Sequence, residues 1–524
     1  MYRNKSFSIF FFKKHYFYTK IKLMKFSYLF ILFLLTFSNF YSQTIPAGFV
    51  KTNVITGLQY PVHFDVSADQ RYFITQKGGN ASGSCANGKI LVYSNSGSLL
   101  STFYNLTDSV QCDFERGLLG LALDPNFESN HFVYAYYNHR YNGDERIRVV
   151  RFTESNNIGI NPTIILDIDV PNNIPGNHVG GIIEFKPNDA TKLFVSIGDL
   201  AKGQSLSADT STNYADTKNT PYGKILRINS DGSIPTDNPF YDDGNVASGN
   251  DDRIWSYGHR NIFGLCFNPN NGSLYASENG YNKWDEVDFI IPGKNYGWIT
   301  CEGNYRYNST TVACNFPYLT NPIAEFGTPL PSITGCLFYS SDVIPSLTNH
   351  LLVADNDYGR IYNLTLGNAP TYDVVSSNVQ WADLTGSNEG GLTTLKQGPE
   401  GCIYAMNGGY TTNGKIYKIC PANLSLEENK FITNELGQNY PNPSSGNSMI
   451  DITIAKTSDV SITIYDETGR IINCIYSQTT LAGSHTIPLN FSKNIKSGTY
   501  FYTMEVKQNN ATVYSATKRM LIIQ

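Results

Sequence analysis

Residues 121–137 read LALDPNFESNHFVYAYY and residues 183–199 read IEFKPNDATKLFVSIGD. Each is a short apolar run, a proline turn with polar residues, and a second apolar-aromatic run, the pattern of two strands joined by a loop. The unit recurs as HFDVSADQRYFIT (63–75), LCFNPNNGSLYASENG (265–280), VIPSLTNHLLVADND (343–357) and LKQGPEGCIYAMNGG (395–409). Centred on Ser67, Pro125, Pro187, Pro269, Pro345 and Pro399, the copies lie 58, 62, 82, 76 and 54 residues apart. A third strand follows in several, as GKILVYSNSG at Gly88, GKILRINSDG at Gly223, GRIYNLTLG at Gly359 and GKIYKIC at Gly414. No unit buries its apolar face alone, so the six must stack around an axis. The pattern predicts an all-β chain with a six-bladed β-propeller over residues 43–420, each unit supplying four short strands. No helical period separates the strands, which disfavours a parallel α/β fold. The longer intervals leave room for loops at 201–222, 235–253 and 301–330, and loops at one end of such a body gather over its channel.

Composition agrees. Of 524 residues 41% are hydrophobic, 13% aromatic and 16% charged, with 44 Gly and 23 Pro. That excludes disorder, collagen and a polytopic membrane protein. Seven of the 39 basic residues fall in residues 1–42, which hold no acid, so the remainder carries 32 basic against 44 acidic residues. A body this acidic has no global attraction for nucleic acid or anionic lipid.

Both ends read as addresses. Residues 24–43, MKFSYLFILFLLTFSNFYSQ, place Lys25 before an apolar stretch of about ten residues from Tyr28, the form of a secretory signal peptide. The expected cut lies between Ser42 and Gln43, although Phe40 departs from the small-residue rule, and the mature form is expected to have no membrane span. Residues 421–433 read as a linker. Residues 434–524 contain LGQNYPNPSSG, the alternating VSITIYDETGR, AGSHTIPLN, KSGTYFYTMEV and KRMLIIQ, and predict a small β-sandwich. This segment closely resembles the C-terminal sorting domain of the type IX secretion system. The resemblance implies that the secretion machinery is a partner and that the chain passes the outer membrane to the cell surface or beyond.

Nine cysteines suit an oxidising destination. Cys474 falls in the sorting segment, leaving residues 85, 112, 266, 301, 314, 336, 402 and 420, for which Cys301–Cys314 is the one pairing named. No Cys-x-x-Cys occurs, so a zinc ribbon or thioredoxin-type site has no support.

The densest chemistry lies in IWSYGHRNIFGL (254–265) and SLYASENGYNKWDEVDFIIPGKNYGW (273–298). With ERGLLGLALDPNF (115–127), GNHVGGIIEF (176–185) and YGKILRINSDGSIPTDNPF (222–240), these closely resemble the glucose/sorbosone dehydrogenase family, from about Gly57 to Cys420. The resemblance implies oxidation of the anomeric carbon of an aldose to a lactone, with pyrroloquinoline quinone (PQQ) and Ca2+ as cofactors and an external electron acceptor. His178 matches the catalytic histidine, and imidazole titrates near working pH. Arg260 and Asn261 match the pair that contacts the quinone, where a guanidinium can offset developing negative charge. Glu115 and Asn177 stand at two further cofactor positions, where the active glucose enzymes have Gln and Asp. Gly280 and Tyr281 stand at the metal-binding dipeptide, Gly-Pro in the family, with Asp285 and Glu286 as the acidic pair beyond it. His259 reads as structural. The segment matching the family's quinone-carboxylate cluster, VQWADLTGSNEGGLTTLKQG (379–398), holds no arginine, and Lys396 is its loose candidate. The alternative reading is a secreted propeller that binds glycan or protein without turnover.

Overall fold

The computed structural model describes residues 43–79, 85–172, 174–187, 189–202, 213–385, 391–422, 434–445, 447–455, 457–480, 483–490, 495–508 and 511–523. The signal peptide, most of the expected linker and the middle of the 201–222 loop lie outside these residues. The chain divides after Pro421 into two compact units.

In the first unit the described residues form six four-stranded antiparallel sheets, plus a two-stranded ribbon at Cys301–Glu302 and Tyr305–Arg306. Their first strands are Pro61–Val66, Leu118–Leu123, Ile183–Lys186, Ile262–Phe267, Ile333–Tyr339 and Leu392–Gln397. Each first strand neighbours the next, and the sixth returns to the first, closing a ring. Every repeat seen in the sequence is the first hairpin of one sheet, and each Gly-Lys/Arg-Ile element is its third strand.

Burial falls from inside to outside. The second strands Tyr72–Gln76, Leu274–Glu278 and Ile403–Asn407 are buried at every residue, whereas most of the outer strand Val374–Asp383 is exposed. A strand covered on both faces reads as a near-continuous apolar run rather than an alternation. The apolar clusters lie between neighbouring sheets. Phe73, Ile90 and Val133 join the first two, and Tyr275, Val353 and Leu364 join the fourth and fifth.

The sixth sheet departs from the expectation that each unit supplies its own four strands. It contributes Leu392–Gln397, Ile403–Asn407 and Gly414–Pro421, and its fourth strand is Phe49–Leu58, antiparallel from Phe49↔Pro421 to Leu58↔Gly414. Joining both ends of the unit in one sheet pairs its first strand with its last, which ties down both termini. Four disulfides, Cys85–Cys112, Cys266–Cys336, Cys301–Cys314 and Cys402–Cys420, tie the unit further, and Cys474 is free.

The second unit holds a three-stranded sheet (Glu435–Leu436, Asn447–Ile454, Gly483–Asn490) and a four-stranded one (Ser458–Asp466, Ile471–Thr480, Gly498–Gln508, Ala511–Ile522). Along Ser458–Asp466 alternate residues are buried, the period-two signature of a sheet with one covered face. Ile452, Ile462, Tyr502 and Met504 from both sheets share one core. Among the described residues no helix is long and apolar enough to cross a membrane.

Candidate active site

An antiparallel hairpin brings the start of its first strand and the end of its second to the same end of the sheet. Glu115 stands just before Leu118–Leu123, His178 before Ile183–Lys186, and Arg260 with Asn261 before Ile262–Phe267. Lys77, Asp199 and Asn279 follow the second strands Tyr72–Gln76, Asp189–Ile197 and Leu274–Glu278. All seven residues therefore meet at one end of the ring, from segments about two hundred residues apart at most.

His178 is buried and held in the left-handed region, φ +53°. Its Nδ1 lies 2.6 Å from Asp199 Oδ1, and its backbone N–H donates to Glu115 Oε2 at 2.7 Å. Asp199 has no exposed surface and also accepts from Trp298 Nε1 at 2.7 Å and from the Ala201 N–H at 2.8 Å. A carboxylate only accepts, so the His178 proton sits on Nδ1 and Nε2 is the basic nitrogen of the neutral ring. Close approach makes this possible: a Cβ at Gly198 would lie 2.1 Å from the His178 carbonyl oxygen.

Asn261 joins this pair to the next strand. Its Nδ2 donates to Glu115 Oε2 at 2.9 Å, and its Oδ1 accepts the Gly180 N–H at 3.2 Å. Glu115 serves here as an acceptor for two N–H donors, a role that a glutamine carbonyl can also fill. Arg260 lies with its guanidinium 5.4 Å from the Trp298 ring and donates Nη1 to the Asn279 carbonyl at 3.0 Å. Among the described residues its Nε is buried without a hydrogen-bond partner. Asn177 is half-buried beside His178 and makes no hydrogen bond to this network among the described residues; the carboxylate that orients the imidazole is Asp199, which the sequence reading did not single out.

His259 is structural in its surroundings: Nδ1 is 2.8 Å from Glu278 Oε2, Nε2 is 2.9 Å from Ser256 Oγ, and the ring stacks on Tyr296. Glu278 also accepts the Arg260 backbone N–H, which ties the arginine to the same carboxylate.

The Gly280–Trp284 turn is organised by one side chain. Glu302 Oε1 accepts the N–H groups of Tyr281, Asn282 and Lys283 at 2.8 Å each, and that of Trp284 at 3.2 Å. Proline at position 281 could not make the first of these bonds, which gives the Gly-Tyr sequence a physical reason. Gly280 has no room for a side chain, since a Cβ would lie 1.7 Å from the Trp284 carbonyl oxygen. Asp285 accepts the Gly280 N–H through Oδ1 at 2.9 Å, and burial pushes its carboxyl up to about 7. Glu286, fully packed against Asp288 and Glu278, is raised well above the usual range by burial and then by those charges.

Beside this network a cavity opens at the same end of the ring, sharing Glu115 and Asn279 with it. Lys77, Asn356, Asp357 and Tyr410 also line it, with the hydroxyl residues Ser332, Thr334 and Thr393. The buried Lys77 Nζ donates to the carbonyls of Cys112 at 2.8 Å and Gly79 at 3.0 Å. Burial lowers its pKa to about 8, against the pull of Asp113 and Glu115. Lys396, by contrast, lines a different cavity with His63 and Glu184 and pairs with Glu184 at 3.3 Å.

Residues 58–418 match the model of the glucose/sorbosone dehydrogenase family, and residues 438–522 match that of the secretion system C-terminal sorting domain. The sorting domain marks the chain for export to the cell surface or the extracellular space. An uncharacterised protein of Synechocystis is 30% identical over 310 residues, 58% of this chain and 71% of that one. Quinoprotein glucose dehydrogenase B of Acinetobacter calcoaceticus is 29% identical over 292 residues, 51% of this chain and 57% of the relative, so the match spans little more than half of that protein. The solved PQQ-bound form of aldose sugar dehydrogenase from Streptomyces coelicolor shares the fold at a TM-score of 0.54 and 23% identity, over 72% of this chain and 99% of that one.

Proposed function

The chain belongs to the glucose/sorbosone dehydrogenase family, and from that premise we propose that it is an exported, PQQ- and calcium-dependent dehydrogenase that oxidises the anomeric carbon of aldoses to lactones. In this reading the six sheets are the blades of a six-bladed propeller over residues 43–420, with 421–433 as linker and the two C-terminal sheets as a β-sandwich over 434–524. One observation supports the reading: His178 bonds to Asp199 and Glu115, and Asn261, next to Arg260, bonds to the same Glu115, which lines the adjoining cavity.

The residues present fit a quinone. Among the described residues Arg260 keeps a buried Nε without a hydrogen-bond partner, and Lys77, Asn279 and Asn356 add one cation and two amides to the adjoining wall. PQQ, when bound, supplies the two-electron acceptor for hydride. His178 Nε2 takes the proton of the anomeric hydroxyl, and Asp199 stabilises the imidazolium that results while fixing the ring's tautomer. Arg260 opposes negative charge that grows on an oxygen in front of it, in a site where burial strengthens the interaction. Asn261 and Glu115 hold the two loops in register. Gly280 and Tyr281 would offer carbonyl oxygens to Ca2+, a hard cation that asks only for oxygen. An external electron acceptor completes the cycle, and the type IX secretion machinery is the partner implied for export.

Titration of the exported protein with PQQ and Ca2+, followed by a panel of aldoses and a dye acceptor, tests the proposal. Saturable binding and sugar-dependent bleaching are expected; no binding at tens of micromolar would leave a propeller that binds without turnover. Arg260→Met is expected to cost about 10²-fold in turnover and to weaken quinone binding together, and unchanged kinetics would return it to a structural role. A second expectation follows from Lys77. It is charged below pH 8 and neutral above, so quinone affinity falls as pH rises through about 8. Lys77→Met should bind more weakly and with a flat profile over that window, as read by spectrophotometric titration.

A further inference from the structure

The loop between Lys224–Asn229 and Ile254–Tyr257 carries YDDGNVASGNDD at 241–252. We propose that Asp242, Asp243 and Asp252 form a site for a hard divalent cation, Ca2+ in the exported protein, separate from Gly280 and Tyr281 and independent of any redox activity. One carboxylate oxygen from each lies within 4.8 Å of the others. Asp252 is wholly buried, and among the described residues its Oδ2 has no hydrogen-bond partner. Its Oδ1 accepts the Asp242 N–H at 2.6 Å.

Among the described residues no salt bridge joins these three carboxylates to a lysine or arginine. The adjacent Arg253 is engaged with Asp251, through Nε at 2.8 Å and Nη2 at 2.6 Å. Three like charges at this spacing repel, and a buried carboxylate oxygen without a donor is costly. A cation among them removes both penalties at once. The exposed pair is already oriented: Asp242 Oδ2 accepts from Asn250 N at 3.1 Å and Nδ2 at 3.2 Å, while Asp243 accepts from Asn245 N at 2.8 Å and Ser248 Oγ at 2.5 Å. The donor set is all oxygen, with neither imidazole nor sulfur, which selects calcium or magnesium over zinc or copper. A loop rather than a rigid cage suits the larger, geometrically tolerant calcium. Bound there, it fastens the loop whose end, through the Asp251 N–H to the Lys218 carbonyl at 2.7 Å, precedes the strand leading to Arg260.

The test uses the full chain stripped of metal by a chelator and titrated with Ca2+ alone by calorimetry. Tb3+ luminescence excited through Tyr241 reports the same loop. Wild type should take up one more equivalent of Ca2+ than Asp252→Asn, with Kd on the order of 10⁻⁴–10⁻³ M as for extracellular calcium modules. Asp243→Asn should weaken that equivalent at least tenfold without lowering the melting temperature in chelator. Calcium elsewhere would remain in both variants, so equal stoichiometry and affinity across all three proteins overturns the site. If Asp252→Asn fails to fold, the Asp243→Asn titration decides alone.

Discussion

His178→Ala is expected to lower turnover by about 10³-fold while leaving the melting temperature and the affinity for quinone close to wild type. General-base removal costs about 10²–10⁴-fold, and a residue held at φ +53° loses only its side chain in the exchange. The ring is bonded to Asp199, whereas the backbone bond to Glu115 survives substitution. Asp199→Asn probes the same proton from the other side: an amide can take the place of the acceptor, and the imidazole is then free to adopt the wrong tautomer. It should lose nearly as much activity, and the double variant little more than either alone. If aldose oxidation survived His178→Ala within a factor of ten, the base assignment would be wrong.

Glu302→Ala is expected to cost on the order of 3 kcal/mol, a drop of several degrees in melting temperature, because one carboxylate oxygen accepts four backbone N–H groups. The four bonds share one atom, so their losses do not add. Glu302→Gln keeps a carbonyl oxygen for them and should retain most of the stability. A melting temperature for Glu302→Ala equal to that of Glu302→Gln would show that the Gly280–Trp284 turn holds without this acceptor. Because Gly280 and Tyr281 are the dipeptide at the proposed calcium position, the alanine variant should also lose calcium affinity there.

The repeat was legible because each hairpin is contiguous, and its apolar run is imposed locally by sheets covered on both faces. The strand Phe49–Leu58 was not: its pairing with Gly414–Pro421 spans more than three hundred residues, and a hydrogen-bond ladder leaves no mark on side-chain order. His178, Arg260 and Asn261 stood out through motif and residue type. Asp199 and Lys77 did not, although both lie just past the second strands of their hairpins, because an acid or a lysine just past a strand looks like any turn residue. Lys396 is the complementary case. It shares a repeat with the expected position, but the strand carries it to a different cavity and to Glu184.

Residue chemistry and local periodicity thus determined that the chain is all-β, where its hairpins fall, and which side chains are chemically able to act. Tertiary structure decided which of those side chains meet. Ring closure collects the starts of first strands and the ends of second strands at one mouth, and burial there sets which carboxylate orients His178, which lysine lines the cavity and which glutamate shapes the turn. Those pairings depend on contacts between distant segments, and hydrogen-bond geometry a few ångströms across is set by packing that no single stretch of sequence contains.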